Sequence, residues 1–256
     1  MTAARVLGAV LVAAAVTGAA SAPASSAAPT WPERVAAAAA YQEPRHGVVS
    51  FAVVNENGVL HGYRRALVAP SASVLKAMLM VAYLNQASVR DRPLRREDRR
   101  LLGPMIRWSD NSTATTIRYR VGAKAIYRVA RRADMRRFRL RTPWGLSEIT
   151  AGDQARFFYR IGSYIPARHR PYALWLLANI VPSQRWGIPP VTPDGWRIYF
   201  KGGWGSGTGA VTHQVALLTD GDRRIAIAVL TRRNPSHEYG TRTIRGVAWY
   251  LLRGVR

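Results

Sequence analysis

Residues 73–85 read Ser-Val-Leu-Lys-Ala-Met-Leu-Met-Val-Ala-Tyr-Leu-Asn. Apolar side chains fall on nearly every face of a helix drawn over this stretch, so the helix is predicted to be buried all round. One charge stands inside it: Lys76, three residues after Ser73 and on the same helix face. A lysine in apolar surroundings loses hydration in its charged form, so its pKa falls and the neutral amine can act as a base. A serine in the first turn has backbone N–H groups near it that can stabilise an oxyanion. A plainer alternative uses the same residues: Ser71 or Ser73 caps the helix, and Lys76 extends its amine to water.

On either side of this helix the chain reads as sheet. The stretch VVSFAVVNENGVLHGYRR at 48–65 predicts two strands around the turn residues Asn55–Gly58. WRIYFK at 196–201, VTHQVALLT at 211–219 and RRIAIAVLT at 223–231 predict three more, with Asp220–Gly221 as a hairpin turn and a closing helix over 240–253. Between the two groups, helices are predicted near 94–108, 112–121, 123–137, 150–161 and 172–180. RWGIPPVTPDGW at 185–196, rich in Pro and Gly, predicts a connection. Strands from both ends around a helical middle imply an α+β fold, an antiparallel sheet with an inserted all-helical lobe, and a cleft between the two suits a site. The boundaries follow: one domain over 28–256, its sheet lobe from 31–70 and 195–256, its helical lobe from 71–194.

Charge narrows the function classes. Thirty-eight basic residues against fourteen acidic ones give a formal charge of +24, yet Lys76, Lys124 and Lys201 are the only lysines. Such a surface attracts polyanions. Where only positive charge is needed this chain uses arginine, so each lysine marks a place where arginine would not serve. The absence of cysteine excludes disulfides, thiolate metal sites and a cysteine nucleophile. His46, His61, His169, His213 and His237 stand far apart, with no pair at zinc-ligand spacing, so neither a metal nor another cofactor is expected.

Arg5, the apolar run at 6–20 and the small residues SAPASSAAP after it predict an export signal over 1–27, cleaved after Ala22, Ala24 or Ala27. The run is shorter than a membrane span needs. A secreted chain, free or associated with the cell wall and without stable membrane insertion, is therefore expected. Export argues against nucleic acid and favours an anionic cell-wall polymer as the polyanion. RVARRADMRRFRLR at 128–141 has few aromatics for base stacking and reads as a solvated helix.

Two further short motifs carry chemistry. Ser109-Asp110-Asn111 lies between helical stretches, where a hydroxyl and an amide two residues apart can both point into a cleft; the same cluster also suits a helix N-cap. Lys201-Gly202-Gly203 ends a strand, and its glycines let a substrate backbone approach closely. A phosphate-cradling loop is excluded there, because a strand rather than a helix follows and no GK[ST] is present.

In the order S-x-x-K, S-D-N, K-x-G, these motifs resemble those of the penicillin-recognising serine enzymes, most closely class A β-lactamase-like serine hydrolases. The resemblance covers roughly 45–256. It implies a five-stranded antiparallel sheet flanked by terminal helices, with the helical lobe beside it. It further implies Ser73 as nucleophile, Lys76 as the base that activates it, and Ser109 as a proton relay toward the leaving nitrogen. Asn111 would hold the substrate's acylamide carbonyl, and Lys201 would draw its carboxylate. The backbone N–H groups of Ser73 and Trp204 would form the oxyanion hole, beside Gly203. His213 matches a histidine seen in some of these hydrolases and is a candidate for substrate binding. The implied substrate is a β-lactam or a peptidoglycan stem peptide.

The chain departs from the family in three places. Gly202 stands where a hydroxyl residue is usual, and the first two motifs lie closer together than in class A enzymes. No glutamate occurs between Asn111 and Glu148, where class A enzymes carry the deacylating one, and RLRTPWGLSEIT is short for the usual Ω-loop. Its TPWGL is similar to a stretch in D-alanyl-D-alanine carboxypeptidases. Glu148 could substitute for that glutamate, but its place just before a helix start also suits a carboxylate that compensates the helix dipole, which is the preferred reading. Two other function classes compete with a hydrolase: a non-catalytic envelope-binding protein, and a polyanion-binding protein that uses its arginines.

Overall fold

Five strands form one antiparallel sheet in the order β2-β1-β7-β6-β5. They are β1 (Val48–Val54), β2 (Leu60–Tyr63), β5 (Arg197–Gly205), β6 (Val211–Asp220) and β7 (Arg223–Arg232). The structure is a computed structural model and describes residues 1–2, 28–205 and 207–255. The predicted export segment lies, from residue 3 onward, outside the described residues. β1 pairs with β7 from Val48↔Arg232 to Val54↔Ala226, so strands from the two ends of the chain are neighbours, as expected. Every position of β6 from Val211 to Leu218 is buried, so both faces of the sheet are covered. Helices α1 (Trp31–Gln42) and α8 (His237–Leu252) pack on each other, and α8 lies on β6 and β7; α6 (Ala151–Tyr159) packs on β1, β6 and β7. From the residues alone α1 was not predicted, although the resemblance implied terminal helices.

The helical lobe is built on α2 (Leu75–Leu84), all ten residues of which are buried. Each large apolar side chain there contributes about 1.5–3 kcal/mol by leaving water. The long helix α5 (Asn111–Arg132) lies against α2. The two helices predicted at 112–121 and 123–137 correspond to this single span, broken where Gly122 takes a non-helical φ of 68°, and it ends five residues early. Short helices α3 (Ala87–Arg90), α4 (Arg96–Gly103) and α7 (Arg170–Ala178) complete the lobe. A π-helical turn, Pro104–Trp108, follows α4 directly. No helix among the described residues is long and apolar enough to cross a membrane.

A second, two-stranded sheet was not predicted: β3 (Val68–Pro70) pairs with β4 (Glu148–Thr150). It corrects the expectation for Glu148. That residue lies in β4, its carboxylate accepts from Arg141 Nε at 2.9 Å, and the following helix α6 is capped instead by Thr150 and carries Asp153 in its first turn.

His213 is also corrected. Its Nε2 donates to the carbonyl of Pro70 at 2.9 Å, and its Nδ1 accepts the N–H of Thr231 at 3.0 Å. The ring is fully buried, so both nitrogens are engaged and neither is offered to a substrate. The histidine instead fastens the end of β3 to the main sheet. Burial lowers its pKa from 6.5 to about 4. The unfolded chain therefore binds a proton near pH 6.5 that the folded chain resists, and stability is complete above that pH and lost as pH falls toward 4. Urea denaturation at pH 7 and pH 4.5 is expected to show a loss in the wild type that is about 2–3 kcal/mol smaller in His213→Gln, which has nothing to titrate.

Candidate active site

The turn after β3 is shaped by contacts from three directions. Pro70 is held by His213, and the N–H of Ser71 donates to the carbonyl of Ser147 at 2.7 Å. The buried Ser71 hydroxyl faces the carbonyls of Ala72, Trp144 and Gly145 at 3.3–3.5 Å, so Ser71 is a structural hydroxyl. Ala72 then takes φ +42°, a left-handed conformation that costs a residue with a Cβ about 1–2 kcal/mol. Ser73 follows, half-buried in the 3-10 turn Ala72–Val74 that leads into α2. Strand β5 presses against this turn: a Cβ on Gly203 would stand 2.8 Å from the backbone nitrogen of Ser73 and 2.9 Å from that of Val74. Only glycine permits that approach, and it brings the backbone of Gly203–Trp204 beside the N–H of Ser73.

The π-helical turn delivers the second group. Ser109 ends it with φ +59°, and Asp110 caps α5 by accepting the N–H and the hydroxyl of Thr113, each at 2.7 Å. The cap expected from the sequence is therefore real, and it coexists with the site. It leaves Ser109 and Asn111 facing Lys76. The Lys76 amine donates to the carbonyl oxygen of Ser109, to Ser109 Oγ at 3.2 Å and to Asn111 Oδ1 at 2.8 Å. From β5, the fully buried Lys201 amine donates to Ser109 Oγ at 3.0 Å and to its neighbour's carbonyl, Gly202, at 2.7 Å. One hydroxyl thus stands between two amines from opposite lobes.

Burial disfavours charge on both amines. It brings Lys76 down to about 7, partly opposed by the negative charge of Asp110. Lys201 is held well below its ordinary value by burial and by the neighbouring Lys76. A neutral amine near pH 7 is a competent proton acceptor, and a hydroxyl between two such amines is a ready path for a proton.

Of the residues singled out from sequence, Ser73, Lys76, Ser109, Asn111, Lys201, Gly203 and the Trp204 backbone come together, and His213 stays behind the turn. Three aromatic neighbours were missed. Trp144 donates through Nε1 to Thr115 Oγ1 at 3.1 Å and sets its ring 5.1 Å from the Lys76 amine. Trp186 and His237 meet Trp204 on the other side of β5. No sequence signal beyond the tryptophan in TPWGL pointed to them. Among the described residues no group of three or more His, Asp or Glu side chains converges as a metal would require.

Comparison with known proteins bears on the fold and the family. The chain is similar in fold to a β-lactamase from Sphaerobacter thermophilus, at TM-score 0.74 and 21% identity over 88% of this chain and 97% of that one. A β-lactamase from Desulfarculus baarsii matches at TM-score 0.72 and 20% identity, over 89% of this chain and all of that one. The class A β-lactamase of the last common ancestor of Gram-negative bacteria matches at 0.74 and 19%, over 86% and 98%. No curated protein matches the sequence. The family model described as the beta-lactamase enzyme family matches residues 93–253, a stretch that includes the Ser109 turn, β5 and all of α8. The fold is that of the class A β-lactamases, and the chain belongs to the beta-lactamase enzyme family.

Proposed function

We propose that the chain is an exported serine hydrolase that transfers the acyl group of a β-lactam or a D-alanyl-D-alanine-type amide to Ser73. The observation that carries this is the meeting of two buried lysine amines on Ser109 Oγ, next to the turn that bears Ser73. Neutral Lys76 takes the proton of the Ser73 hydroxyl as it attacks the carbonyl. The backbone N–H groups of Ser73 and Trp204 hold the oxyanion. Ser109 passes a proton to the leaving nitrogen, and Asn111 binds the acylamide side of the substrate. Lys201 biases the proton position on Ser109. Arginine could fill neither lysine's role, since it stays protonated.

A slowly turning-over penicillin-binding protein is the second form of the same chemistry, and one observation favours it. Trp144 occupies the ground beside Lys76, while the Glu148 carboxylate is bound by Arg141. Asp110, whose charge bears on Lys76, is committed to its helix cap. Among the described residues, neither of these two carboxylates stands ready as a base for water on the acyl-ester. Outside the cell, the arginine-rich surface would hold the protein on anionic wall polymer.

Intact-mass spectrometry is expected to show covalent penicillin on the wild type and none on Ser73→Ala; equal labelling of both would overturn the assignment. The acylation rate should rise with pH through about 7 and level off above, because Lys76 must lose its proton first. Two units below that pKa about one molecule in a hundred is competent, so the rate should fall about a hundredfold. In Lys76→Ala the rise should vanish with the labelling.

Stopped-flow acylation by a chromogenic cephalosporin should outrun steady-state turnover by about two to four decades, each decade being about 1.4 kcal/mol of barrier. Fast turnover without a burst would show that a deacylating base exists, and loss of that turnover in Glu148→Gln would identify it. Retention on isolated cell walls should fall as ionic strength rises, and salt-insensitive retention would rule out an electrostatic origin.

A further inference from the structure

The side of β5 turned away from Ser73 is lined by rings. Gly203 faces the Ser73 turn, so by strand alternation Gly202 and Trp204 face the other way. A Cβ on Gly202 would stand 3.0 Å from two ring carbons of Trp186, so the indole fills the space that a side chain at position 202 would take. Trp186 meets Trp204 edge-on at 5.9 Å between centroids and His237 at 5.1 Å, and Trp204 meets His237 at 5.6 Å.

The loop carrying Trp186 is tied to both lobes. The N–H of Val181 donates to the carbonyl of Arg107 at 3.2 Å, and Gln184 Nε2 donates to the carbonyl of Trp108, one residue before Ser109, at 2.9 Å. At the other end the N–H of Ile188 donates to Gln214 Oε1 of β6 at 2.6 Å. The indole is therefore a fixed wall of the cleft.

Beside it, Trp204 and His237 open onto a cavity of about 220 Å³, bounded also by Val211, Thr212, Asn234 and Ser236. A cavity of this size has room for one ring. Most of its polar groups are engaged, and Asn234 Oδ1 is a buried acceptor with no partner. Thr212 Oγ1 shares a hydrogen bond with His237 Nδ1 at 3.2 Å, and Ser236 Oγ accepts the N–H of Tyr239 at 3.1 Å. Asn234 Nδ2 donates to the carbonyl of Ala210 and to Thr231 Oγ1, both at 2.9 Å.

In a chain of thirty-five arginines, no Lys, Arg, Asp or Glu is among the described residues that line this cavity. Arg185, the residue before Trp186, turns away to the carbonyl of Ala178 at 3.1 Å and lies over the ring of Phe200. The Lys201 amine is spent on Ser109 and Gly202. An anion entering here would lose its water and meet rings and the unpartnered Asn234 Oδ1 with no cation among the described lining residues, which is costly. An apolar ring would bury its surface against the Trp204 indole and the His237 imidazole, both of which Trp186 backs.

We infer that the wall formed by Trp186, Trp204 and His237 is a subsite for an uncharged aromatic or apolar group on the leaving side of the substrate, so that acylation at Ser73 needs no carboxylate there. The position of this subsite relative to the bond that breaks rests on the proposed role of Ser73.

Two thiolesters with the same acyl group test it, one with 3-mercaptobenzoate as leaving thiol and the other with its methyl ester. Hydrolysis adds water across the C–S bond, giving the carboxylic acid and the free aryl thiol, whose release is followed directly. With each rate divided by that of alkaline hydrolysis, kcat/KM in the wild type should favour the methyl ester at least tenfold, about 1.4 kcal/mol. The preference should shrink toward unity in Trp186→Ala and in His237→Ala. A wild-type preference for the carboxylate would overturn the inference.

Ser73→Ala protein labelled with nitrogen-15 supplies a readout independent of catalysis. Methyl benzoate should shift the indole N–H signals of Trp186 and Trp204 in a saturable way that benzoate does not reproduce. Equal saturation by benzoate would overturn the subsite. Thiolesters that leave Ser73 untouched while methyl benzoate still binds would count against the Ser73 reading and uphold the subsite.

Discussion

An amine placed on a wholly buried helix governs much of this structure. Lys76 is one of ten consecutive buried residues, and its side chain reaches hydrogen-bond partners only where the Ser109–Asn111 turn supplies them. Without those oxygens the amine would stand buried and unsatisfied, at a cost of several kcal/mol. The turn is accordingly unusual: a π-helical run, a left-handed serine and an Asp-capped helix start bring two oxygens of Ser109 and one of Asn111 to a single nitrogen. Such irregular backbone persists where the surroundings hold it in place, and it is common at sites of chemistry.

The same turn joins the lobes. Ser109 Oγ is the acceptor that Lys76 of the helical lobe and Lys201 of the sheet share, so a chain of hydrogen bonds runs from Asn111 through both amines to β5. Two ammonium groups cannot both stay charged in so dry a place, and their pKa values fall together. That accounts for the lysine usage. Arginine remains protonated under any ordinary burial, so at these two positions it would bring an unshielded charge pair into the cleft. The third lysine, Lys124, is exposed on α5 and takes no part.

Glycines and rings shape the surroundings of the cleft. Glycine at 203 admits β5 to the serine turn, and glycine at 202 makes way for Trp186. Trp144 stands over Lys76, and the glutamate that follows it in sequence is drawn to Arg141. Rings thus stand on two sides of the cleft. This bears on which substrates enter and on how long an acyl group would remain, while the proton path between the lysines is left intact.

The sequence by itself determined the parts that local pattern encodes. The all-round apolar run at 73–85, the strand periods at 48–65 and 196–231 and the break at Gly122 follow from a few neighbouring residues each, and the structure has them. Three motifs in their order were enough to name the residues that meet in the cleft, because short spacing on a helix, turn or strand end leaves a side chain few directions. Tertiary structure decided the rest. The β3–β4 pair joins segments some eighty residues apart, so neither strand announces itself in a three-residue run. The sequence shows His213 as a polar residue on a strand; only the approach of Pro70 on one side and Thr231 on the other makes it a buried clasp. Glu148 and Trp186 are alike in this. What each does is set by Arg141 in one case and by the missing side chain of Gly202 in the other, and contact between elements, unlike periodicity within them, is written nowhere in the local sequence.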